Sequence, residues 1–138
     1  MTATEHELQS SIIDWKHRNI NRHKAIEWLH AVPNGAKLPW HKNNRGQRYS
    51  PEANKLKAEG LTPGIPDLCL PFPAHDYHGL YIELKRPGNI DDVREGQKDF
   101  MAYAESVGYL CQVHDDYDHV IELLCWYLDI ENNEIGVF

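Results

Sequence analysis

Gly64-Ile65-Pro66-Asp67, answered 16 positions after Asp67 by Glu83 in the run Leu80-Tyr81-Ile82-Glu83-Leu84-Lys85, is the stretch on which the reading turns. An acid follows a proline at the start of one apolar run. A second acid and a lysine stand two apart in the next. In a strand, side chains at i and i+2 share a face. Glu83 and Lys85 then point together, and Ile82 and Leu84 point to the opposite side. If the Asp67 run pairs beside that strand, two carboxylates and an ammonium converge. Hard oxygen ligands with open positions suit Mg²⁺ or Mn²⁺ held together with a substrate phosphate. A lysine beside them suits charge developing on that phosphate. A lone Glu-x-Lys would read as a solvated strand face; a Pro-Asp on a separate apolar run favours chemistry.

Working outward, the flanks supply an α/β frame. Residues 4–18 read as a helix, with Thr4 as N-cap, Glu7 three residues on, and Leu8, Ile12 and Trp15 on one face. Residues 19–30 allow either a short helix or a strand start. Val32-Pro33-Asn34-Gly35 marks a turn, and 36–50 reads as a polar, basic loop. Ser50-Pro51 opens a helix over 51–59. Strands are expected at 67–71, 80–85 and 109–114, with amphipathic helices at 91–107 and 116–128. The last residues, 130–138, read as an edge strand or a tail. A β-α-β crossover between residues 80 and 114 requires a parallel pair, and the earlier strands make the sheet mixed. The expected architecture is a three-layer α/β/α domain spanning residues 1–138.

Charge is uneven. The chain of 138 residues carries a net charge of −7, yet Lys16 to Lys57 holds ten basic and two acidic residues. A local positive field of that kind can steer a polyanion although the whole molecule is acidic. Lys37, Lys42, Arg45 and Arg48 are the candidate phosphate contacts. Trp40 and Tyr49 in the same stretch read either as stacking surfaces for unpaired bases or as anchors of the loop. Cys69, Cys111 and Cys125 form no C-x-x-C pair, so zinc is not indicated, and each reads as a small buried hydrophobe. No apolar run approaches a membrane span, and the start lacks the basic-then-apolar order of a signal peptide. A cytoplasmic address is the expectation.

These residues resemble the VRR-NUC group of the PD-(D/E)xK nucleases over roughly residues 4 to 128. The matching stretches are Glu5-His6-Glu7-Leu8-Gln9, Pro33-Asn34-Gly35, Gly64-Ile65-Pro66-Asp67-Leu68, Glu83-Leu84-Lys85 and Gln97. The resemblance implies a restriction-endonuclease-like fold and metal-dependent hydrolysis of DNA, often branched or flapped, by a chain that forms a homodimer. It implies Asp67 and Glu83 as metal-binding carboxylates, the Leu84 carbonyl as a further ligand and Lys85 as the catalytic lysine. It also implies Glu5, with Glu7 as the weaker candidate, as the first-helix acid, and Gln97 as the glutamine over the site. Gln9 joins the candidates for DNA contact. Glu5 and Glu7 equally suit the positive end of their helix, and Asn34 suits a left-handed turn. Rival readings are an inactive DNA-structure-binding module, another carboxylate-using hydrolase and a sequence-specific restriction enzyme.

Overall fold

The computed structural model describes residues 4–33 and 38–134. Lys37, the Asn34-Gly35 turn and the C-terminal Ile135–Phe138 lie outside the described residues. Helix α1 (Glu5–Asn19) begins with the expected capping box: Thr4 Oγ1 accepts from the Glu7 N–H at 3.0 Å, and Glu7 accepts from the Thr4 N–H at 3.1 Å. A 3₁₀ turn (Ile26–Trp28) leads into strand β1 (His30–Ala31). Strands β2 (His41–Lys42) and β3 (Arg48–Tyr49) form a separate hairpin, followed by helix α2 (Pro51–Ala58), which Ser50 caps. Then come β4 (Leu68–Leu70), β5 (Leu80–Leu84), α3 (Glu95–Ser106), β6 (Leu110–His114) and α4 (Tyr117–Leu128).

The main sheet runs β1-β4-β5-β6. The pairs β1/β4 and β4/β5 are antiparallel, and β5/β6 is parallel, as the crossover through α3 requires. Leu80, Ile82 and Leu84 point to one face, where Ile12 and Trp15 of α1 and Ile121, Leu124 and Tyr127 of α4 close the principal core. Tyr127 adds a hydroxyl donated to the Phe72 carbonyl at 2.6 Å. On the opposite face Tyr81 meets Phe100 of α3 edge-on, with ring centroids 5.1 Å apart. This gives three layers, with the 83/85 face on the same side as α3.

Two sequence expectations are corrected. The 36–50 stretch is not simply a loop, because His41 and Lys42 pair with Tyr49 and Arg48 as the β2/β3 hairpin. The Asn43 side-chain oxygen ties the tip by accepting from the N–H groups of Arg45 and Gln47. Strands of two exposed polar residues have no hydrophobic period to betray them. Helix α3 starts at Glu95 rather than 91 because residues 89–93 are spent in turns, with Asp92 N–H bonded to Asn89 O and Val93 N–H to Asp91 O. Residues 130–134 are irregular; Glu134 accepts from Arg18 at 2.9 Å and from Tyr117 at 2.7 Å, tying the chain end to α1 and α4.

Candidate active site

Register explains the spacing of the two acids. In the β4/β5 pair Leu68 stands opposite Ile82, which sets Asp67 opposite Glu83 one step further along. Main-chain groups of Asp67 turn the other way, toward β1, where its carbonyl accepts from Val32 N–H at 2.8 Å. Positions 67 and 83 are therefore a non-hydrogen-bonded cross-strand pair, the kind in which side chains come closest. The Asp67 and Glu83 carboxyls are close enough to act on each other. Asp67 Oδ2 also accepts from the Leu84 N–H at 2.8 Å.

The proline of the motif has a specific consequence. By strand parity the Leu84 N–H and carbonyl both face the β4 side, because Lys85 N–H and its odd-numbered neighbours face β6. In register Leu84 would meet position 66, and Pro66 has no N–H to give. Position 66 thus supplies no donor to the Leu84 carbonyl, and Leu84 lines the cleft. That leaves two carboxylates and one main-chain oxygen converging where the sheet opens.

Lys85, two residues along the strand from Glu83, is buried, with 5% of its surface exposed. A buried ammonium is costly without partners. Its Nζ donates to Gln97 Oε1 at 2.9 Å, and the same oxygen accepts from the Arg94 N–H at 3.0 Å. Gln97 therefore caps α3 and holds the lysine with one atom. The first turn of α3 is brought this close by a glycine contact. A Cβ on Gly64, which has φ of +92°, would lie 2.5 Å from the Gly96 carbonyl oxygen.

Electrostatics follow from this crowding. Burial first, then the hydrogen bond and charge of Asp67, push the Glu83 carboxyl up to about 9; Lys85 opposes the rise and Glu5 adds to it. Near neutrality this crowding favours the protonated form of Glu83, as expected of an acid buried beside another. A bound cation would take the place of that proton. Among the described residues no three His, Cys, Asp or Glu side chains form a metal-holding group. A hard ion here would be held by Asp67, Glu83 and the Leu84 carbonyl, with coordination sites left for water and substrate.

Asp67, Glu83, Leu84, Lys85, Gln97 and Glu5 all line one cleft of about 520 Å³. Glu7 is occupied in the capping box, and Gln9 is half-buried on α1 and does not line the cleft. Lys42, Arg45 and Arg48 are exposed on the hairpin, outside the cleft lining. Sequence reading had not assigned Lys57, Asp92 and Arg94, which line the cleft from the end of α2 and the entry to α3. Arg94 was legible in principle as the residue three before Gln97, at the mouth of the helix.

No helix among the described residues is long and apolar enough to cross a membrane. Comparison with curated proteins returns no match. A solved structure described as a VRR_NUC domain protein has a TM-score of 0.69 at 26% identity, covering 96% of this chain and 93% of that one. The mixed sheet between helical layers is the restriction-endonuclease-like α/β fold that the sequence implied. The family model of the VRR-NUC domain matches residues 1–115, a span that holds every residue of the cleft, so the chain belongs to the VRR-NUC family of nuclease domains.

Proposed function

We propose that the chain is a divalent-metal-dependent deoxyribonuclease, a single catalytic domain that hydrolyses phosphodiester bonds at branched or flapped DNA and acts as a homodimer. The observation that carries the reading is the cross-strand placement of Asp67 opposite Glu83, with Lys85 buried beside them on the same face. Asp67 and Glu83 hold Mg²⁺ or Mn²⁺ together with the Leu84 carbonyl, and Glu5 adds negative charge from the start of α1. Such an ion, when bound, supplies Lewis acidity and neutralises charge on the phosphodiester. Lys85 offsets the charge that builds on the phosphate oxygens, in a site shielded enough for one ammonium to count. Gln97 fixes where that ammonium sits. Lys57 and Arg94, both exposed and both lining the cleft, take the flanking phosphates. The exposed Lys42, Arg45 and Arg48 extend the basic track onto the hairpin.

The test is cleavage of labelled four-way junction, flap, duplex and single-stranded DNA with Mg²⁺, Mn²⁺ or EDTA. Wild type should cut a branched substrate only with metal, and Asp67→Asn, which keeps an acceptor for the Leu84 N–H, should lose the cut. Binding without cutting under every metal would favour an inactive DNA-structure-binding module. Sedimentation at working concentration tests the homodimer.

A further inference from the structure

The cleft has an apolar wall that hydrolysis does not use, lined by Pro33, Trp40, Leu61, Pro63 and Ile65. A phosphate backbone gains nothing from apolar surface; base faces do. In a continuous duplex those faces are stacked on one another and out of reach. Such a wall is matched by a nucleotide that has left the stack. The volume of about 520 Å³ lies in the range of pockets that enclose drug-sized molecules, the scale of one nucleotide.

Trp40 is the aromatic residue of this wall. It is 36% exposed, and the Arg48 guanidinium lies 5.4 Å from its ring centroid. That cation–π contact braces the indole from the β2/β3 hairpin. Tyr49 is equally prominent in the sequence, but it meets His41 within the hairpin at 5.5 Å between rings and does not line the cleft. The structure therefore separates two aromatics that the sequence left equivalent. Lys57 lines the same cleft from the last turn of α2.

We propose that Trp40 is a stacking platform for the base of an unpaired DNA nucleotide next to the scissile phosphate, with Lys57 on a neighbouring phosphate. The proposal rests on the nuclease reading and deepens it. It names the substrate class as DNA with an unpaired nucleotide at the cut, recognised without regard to base identity because every base has a π face.

Two readouts test it. In EDTA, a single-stranded oligonucleotide carrying 2-aminopurine is titrated with protein and compared with its duplex. With Mg²⁺, cleavage of a forked duplex is compared with that of a continuous one. Wild type should quench the probe in the single strand and prefer the fork. Trp40→Ala should weaken single-strand binding about tenfold, the scale of losing one stacked aromatic, abolish quenching and bring the two cleavage rates toward parity. Trp40→Phe should retain most of the effect. Trp40→Leu, which keeps an apolar anchor for the loop, should behave as Trp40→Ala, and Tyr49→Ala as wild type. The proposal is overturned if Trp40→Leu matches Trp40→Phe, or if Trp40→Ala lowers fork and duplex cleavage equally. A wild type that cuts fork and duplex alike without quenching overturns the stack and leaves the nuclease reading intact. A wild type that neither binds nor cuts any DNA overturns both.

Discussion

Glu83 is the residue at which the site and the stability of the fold conflict. Its carboxyl is pushed from 4.5 to about 9, chiefly by burial and by Asp67. The unfolded chain therefore releases this proton first as pH rises. Stability from the group is full below about 4.5 and is lost progressively toward about 9. In EDTA, the unfolding free energy of Glu83→Gln relative to wild type should climb across that window, by at least about 1 kcal/mol at the alkaline end, the worth of one pKa unit. A flat difference would mean the Glu83 carboxyl is not raised by its surroundings. Metal competes with the same proton, so calorimetric Mg²⁺ affinity of wild type should rise with pH. Gln97 supplies a second test. Its side-chain oxygen accepts from Lys85, so Gln97→Ala should cost roughly 10–100-fold in cleavage, the scale of losing a supporting partner, with little change in DNA affinity. Asp67, Glu83 and Lys85 were legible because residue type and spacing encode them directly. Lys57 was not, because an exposed cation is placed on a cleft only by the fold around it.

At the scale of elements, the site depends on how closely α3 approaches the turn before β4. Gly64 has a positive φ and no room for a Cβ against Gly96. Gly64→Ala should destabilise the protein by about 1–3 kcal/mol through backbone strain. It should also shift the first turn of α3, and Gln97 with it, so that cleavage falls more than urea stability explains. Equal losses would assign Gly64 a purely structural part. The elements that sequence captured are those with a local physical signature. Thr4 and Glu7 close the capping box that starts α1, and Ser50-Pro51 starts α2. The start of α3 was missed because Val93 continues its apolar spacing although residues 89–93 turn. Strand β1, two residues long, owes its existence to pairing with Cys69 and Leu68, a long-range contact that no local window contains.

For the whole molecule, an acidic protein must bind an acidic polymer. On the reading proposed above, the contact is made by the basic segment from Lys16 to Lys57, net +8 within a chain of −7. Binding through such a patch is driven by counterion release. Affinity for DNA should fall steeply with salt, and Lys42→Ala or Arg45→Ala should each reduce the salt slope by about 1, with no change in substrate preference. The principal core sits on the opposite face of the sheet from Lys85. Ile82→Ala should therefore cost about 2–5 kcal/mol in stability without altering metal dependence. On the same reading, the fold sets Asp67, Glu83 and Lys85 around a divalent ion and a DNA phosphate. The most direct measurement is Mg²⁺-dependent cleavage of a labelled flap by wild type and by Lys85→Ala, both verified as folded and DNA-binding. Wild type should cut, EDTA should stop the cut, and Lys85→Ala should lose at least about a hundredfold, on the scale of removing one charge-stabilising donor. Undiminished cutting by Lys85→Ala, or cutting by wild type that persists in EDTA, would contradict that reading.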